Sequence, residues 1–122
     1  MPLEIAELER LNSLRQRRPL LDLTDDELLE LFRLEDKLAP NPYGQVVAVL
    51  STFPPYLAAR PHLIPAFIEA LYRAAKAAHR GLSSQDDLRE YLESKSQVDN
   101  DLSAALKLHF EEFERAIARI KP

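Results

Sequence analysis

Proline sets the limits on what this chain can fold into. Nine prolines occur in 122 residues, and six of them fall between Pro40 and Pro65. A proline deep in a helix removes a backbone hydrogen bond and kinks the helix at a cost of about 3 kcal/mol. Pro19, Pro40 and the pair Pro54-Pro55 therefore act as stops that cut the sequence into short pieces, and no long helix can slide through them. The longest uncharged stretch, Leu38 to Ala59, holds four of these prolines, so it is no candidate for the ~20 apolar residues of a membrane span.

The pieces carry helical signals. Leu3, Leu8, Leu11 and Leu14, with Ile5, recur at near-helical spacing from Pro2 to Arg17, and Pro2 suits a first-turn position. Thr24-Asp25-Asp26-Glu27 is a capping box, flanked by Leu23 and Leu28 at staple positions, and it opens a helix that runs to Leu38. Asn41-Pro42 reads as a cap and a first-turn proline. The run Val46-Val47-Ala48-Val49-Leu50 has strand propensity, but no second β-branched run exists to pair with it, so a helix is expected there. A short helical turn is expected over Pro55 to Arg60.

A fourth helix, His62 to Arg80, should bury Ile64, Phe67, Ile68, Leu71, Ala75 and Ala78, provided that Pro65 lies in its first turn. Gly81 is expected at the left-handed position that ends it. Ser83 or Ser84 should cap a fifth helix ending near Lys95. The last is expected to run unbroken from Asp99 or Asn100 nearly to the end, with Leu102, Leu106, His109, Phe113, Ile117 and Ile120 as its apolar stripe. The expected fold is all-α: one domain over residues 1–122, a bundle of five to six helices with no sheet.

Composition narrows the function. With no cysteine there are no disulfides, thiolate nucleophiles or cysteine–zinc sites. Gly44 and Gly81, the only glycines, cannot build a glycine-rich phosphate loop. The net charge of −4 disfavours a generally basic nucleic-acid binder. The acidic start, Glu4 and Glu7 around Ile5, does not resemble a signal peptide, and a cytoplasmic location is expected. The charge is segmented: residues 21–40 hold seven acids and two bases, residues 41–80 one acid and four bases, and residues 81–100 five acids and two bases.

Two sets of residues stand out as candidate sites. Tyr43, Phe53 and Tyr56 lie in the proline-rich connector between two acidic blocks. They are either exposed anchors for a partner or rings that close the open end of the bundle. Arg73, Lys76 and Arg80 share one helix face, and Arg15, Arg17 and Arg18 cluster at the end of the first helix. Adjacent in space, the two clusters could grip phosphate or an acidic partner; apart, they are solvated faces. His109 beside Glu112 reverses the Glu-x-x-His order of bundle metal sites and lies on the apolar stripe, so it reads as a packed histidine. His62 has no acid or base marked as its partner, and no serine sits in a nucleophile elbow. Neither catalysis, metal nor cofactor is expected.

The expected function is a non-catalytic protein–protein interaction module, a small adaptor or accessory subunit. Its partner is another protein, a second copy of the chain included. The alternative is a helical subunit of a nucleoprotein assembly that contacts phosphate through the two basic clusters.

Overall fold

The structure is a computed structural model that describes residues 3–79 and 81–120. Among these residues it is all-helical, as expected. Seven helices have nine or more residues: α1 (Ile5–Arg17), α2 (Asp25–Leu38), α3 (Pro42–Thr52), α5 (Ile64–Ala78), α6 (Gln85–Ser96), α7 (Asn100–Leu108) and α8 (Phe110–Ala118). A single turn, α4 (Pro54–Leu57), separates α3 from α5. The expectation of five to six helices falls short because the last expected helix is two.

Local chemistry explains most boundaries. The Thr24 hydroxyl accepts from the Glu27 amide at 3.1 Å, and the Glu27 carboxylate accepts from the Thr24 amide at 3.0 Å. Leu23 and Leu28 on either side are fully buried. Asn41 caps α3 by accepting from the Gly44 amide at 2.8 Å. A Cβ at Gly44 would lie 3.1 Å from Pro40 Cδ and 3.3 Å from Ala39 Cβ, so glycine allows the preceding chain to fold back closely. The Val46–Leu50 run is helical, and Val46 and Val49 bury one face of α3.

Pro65 lies in the first turn of α5, where its missing amide hydrogen costs nothing, and a 3₁₀ turn at Pro61–Leu63 leads into it. Pro2, the expected start of the first helix, and Arg80, the expected end of the fourth, lie outside the described residues. Gly81 is not left-handed: α5 ends with His79 in an extended conformation. The left-handed residue is Leu21, at φ 56° and ψ 31°, just after the 3₁₀ turn Arg18–Leu20.

The expected continuous last helix breaks at His109, whose φ of −122° and ψ of 37° leave the helical range although its amide still donates to the Ala105 carbonyl at 2.9 Å. The break lets one amphipathic run serve two sets of neighbours. α7 packs on α4 and α6, and α8 packs on α5. His109 Nε2 lies 3.1 Å from the Ala58 carbonyl, which fixes the joint against the segment after α4.

One core joins the elements. α1 packs on α2, α2 on α3, α3 on α5, and α5 on α8. Four rings thread it in series, Phe32–Phe53–Phe67–Phe113, with centroid separations of 5.2, 5.8 and 5.9 Å in tilted or edge-on geometry. No helix among the described residues is long and apolar enough to cross a membrane.

Candidate functional site

The structure separates the three connector aromatics. Phe53 and Tyr56 are 1% and 2% exposed. Phe53 sits at the junction of α3 and α4, where the consecutive prolines turn the chain and drive its ring between Phe32 and Phe67. Tyr56 donates its hydroxyl to the Arg18 carbonyl at 3.3 Å, and the Arg60 guanidinium lies 5.1 Å from its ring centroid. Burial pushes its phenol above the ordinary value. Both residues leave the candidate partner surface and become core. Of the three, Tyr43 alone stays exposed, at 57%.

Tyr43 stands on the outer face of α3, with Val47 one turn further on. Val47 and the half-buried Leu50 line a groove of about 520 Å³ whose far wall is Val98, between α6 and α7. Val98 is 83% exposed and Val47 46%. Lys95 lines the groove, with Nζ 6.0 Å from the Tyr43 centroid and 5.4 Å from that of Tyr91. Asp99 and Asp101 also line it. The Tyr91 hydroxyl is buried with no partner among the described residues, and burial pushes its pKa up to about 12. Val47 was legible from its spacing to Tyr43. Val98 was not, because only the α6–α7 corner brings it to α3.

The basic clusters go to different neighbours. Arg15 forks onto Glu35, with Nη2 to Oε2 at 2.9 Å, and Arg17 forks onto Glu27, with Nη1 to Oε2 at 2.6 Å, while also facing Asp22. The bond from Arg17, reinforced by the Thr24 amide, holds Glu27 down at about 2. With Lys37 on Glu7 at 3.0 Å and Arg10 on Glu30 at 2.8 Å, these pairs form a seam between α1 and α2. The acidic block at residues 21–40 and the bases of α1 are thus largely each other's counter-charge. The Arg18 carbonyl is occupied by Tyr56. On α5, Arg73 and Lys76 are exposed and border a groove of about 500 Å³ with Tyr72, Ala77 and Ile120. Arg80, third of that row, lies outside the described residues.

His62, which has no marked partner in the sequence, has one in space. Its Nε2 lies 2.6 Å from Asp25 Oδ2, and Arg60 donates to Asp25 Oδ1 at 3.2 Å and to the Leu23 carbonyl at 2.6 Å. The His62 bond, with Arg60 beside it, holds the Asp25 carboxyl below its usual range. His109 is the packed histidine of the sequence reading: its ring is mostly buried, and Nδ1 lies 3.9 Å from Glu112. No group of three or more histidine or carboxylate side chains is disposed to hold a metal ion among the described residues.

No protein-family model, curated protein or solved structure matches this chain.

Proposed function

We propose that this chain is a non-catalytic protein–protein interaction module that seats an amphipathic helix of a partner protein in the groove between α3 and the α6–α7 corner. The observation that carries the reading is the joint exposure of Val47 and Val98 around the half-buried Leu50, with the exposed Tyr43 one turn before Val47. Apolar side chains scattered singly are ordinary, whereas apolar residues gathered along a groove with a polar rim mark a docking surface. Tyr43 and Val47, one turn apart, suit the one-turn spacing of a docked helix.

Charge selects the occupant. Lys95 is drawn over two tyrosine rings, while Asp101 is exposed on the lining with Asp99. An incoming helix with apolar anchors and a basic residue at the α7 end is complementary to that rim. Phosphate contact through Arg15, Arg17, Arg18, Arg73, Lys76 and Arg80 is the less supported reading, because Arg15 and Arg17 are spent on carboxylates of α2.

The test places a photo-crosslinking residue at Ser51, identifies the attached protein, and rebuilds the complex from purified components. Val47→Glu with Val98→Glu should weaken it at least about tenfold, the equivalent of about 1.4 kcal/mol. Crosslinking only to a second copy of this chain, or an affinity indifferent to the two glutamates, overturns the proposal.

A further inference from the structure

A smaller groove, of about 290 Å³, lies on another face, between the segment entering α5 and the outer side of α8. Pro61, Pro65 and Ala116 supply apolar walls, and His62, Arg115 and Arg119 bring three basic side chains to it. Arg115 and Arg119 are four residues apart and share one face of the helical end. The described residues offer Arg119 no ion pair, and they offer Arg115 only a 3.9 Å approach to Glu111 in which both side chains are largely exposed, a contact worth little. The one carboxylate on the lining, Glu112, leaves a surplus of one positive charge before His62 is counted.

His62 is also oriented. The bond from Nε2 to Asp25 fixes the ring, and Nδ1 has no partner among the described residues. Two guanidinium forks offer more donors than the two oxygens of a carboxylate take up, and they suit the three oxygens of a phosphate group. The volume is at the lower end for small-ligand sites, about 300 Å³.

We propose that this groove binds a small phosphate monoester: Arg115 and Arg119 hold the phosphate oxygens, His62 Nδ1 makes a further hydrogen bond to the phosphate group, and Pro61, Pro65 and Ala116 cover the apolar part of the ester. The site is distinct from the groove at Tyr43, and the failure of either proposal leaves the other standing.

The test titrates the full chain with phenyl phosphate, inorganic phosphate and phenol, following backbone amide and His62 ring signals by NMR. Phenyl phosphate should give saturable shifts at His62, Arg115 and Arg119. Arg115→Ala with Arg119→Ala, checked for unchanged helicity, should raise its Kd at least about tenfold, the loss expected from one charge-assisted hydrogen bond. His62→Asn should weaken binding in the same direction. Three results overturn the proposal: no saturable shift at His62, binding indifferent to loss of both arginines, or phenol or inorganic phosphate binding as tightly as the ester.

Discussion

His62 donates from Nε2 to Asp25 Oδ2 at 2.6 Å across thirty-seven positions of sequence, and this bond ties the first turn of α2 to the proline-rich entry into α5. Asp25 also receives Arg60, whose guanidinium covers Tyr56, so one carboxylate gathers two side chains of the connector and, through Arg60, a third.

That gathering, together with the Glu27–Arg17 fork, gives a prediction on acid stability. Glu27 is lowered from 4.5 to about 2, and Asp25 is lowered from 3.8. For carboxyls depressed on folding, the stabilisation is fully present above the unfolded value and is lost as pH falls through the folded one. Glu27→Gln should therefore flatten the loss of stability between about pH 4.5 and about pH 2. Asp25→Asn should do the same, beginning from a lower pH. Urea midpoints measured at neutral pH and at steps through that window check this. Curves parallel to the unmodified protein's would remove the assignment.

Leu21 is the one non-glycine residue with positive φ among the described residues, and its side chain is half exposed. A left-handed conformation costs an ordinary residue about 1–2 kcal/mol, and asparagine tolerates it better. Leu21→Asn should raise the unfolding free energy by about 0.5–1 kcal/mol. A neutral or lower urea midpoint would show that the leucine side chain offsets the strain through packing.

Phe53 and Tyr43, ten residues apart in one connector, should behave oppositely. Phe53→Ala removes the second ring of the four-ring series and should cost about 3–5 kcal/mol. Tyr43→Ala should change stability by no more than about 0.5 kcal/mol. Chemical denaturation of both variants decides between a core and a surface role for each ring.

The Thr52 hydroxyl is fully buried and has no hydrogen-bond partner among the described residues. A buried unsatisfied polar group costs about 1–3 kcal/mol. Thr52→Val keeps the shape and should stabilise the protein by about 1 kcal/mol. Destabilisation by the same amount would mean that a water or a side-chain rotation satisfies the hydroxyl.

Helix identity, most starts and the stops came from short-range chemistry: Thr24 with Glu27, Asn41 with Pro42, Ser84 with Asp87 and Pro65 in a first turn all act within four residues. The Val46–Leu50 run was readable as helix for a related reason, since a strand needs a partner and the chain holds none. The break at His109 was not readable. The stripe from Leu102 to Ile120 keeps helical spacing across it, and no proline or glycine marks it. The contact of His109 with Ala58 and the need to pack on α4, α6 and α5 decide it.

The candidate surfaces divide in the same way. Spacing along one helix placed Arg73 beside Lys76. That Phe53 and Tyr56 turn inward, that Arg15 and Arg17 pair with Glu35 and Glu27 of α2, that Asp25 meets His62 and that Val98 faces α3 all depend on residues far apart in the chain. Backbone caps and prolines act over one turn and are fixed by the residues themselves. Burial and ion pairing depend on which helices meet, and only the folded arrangement settles that.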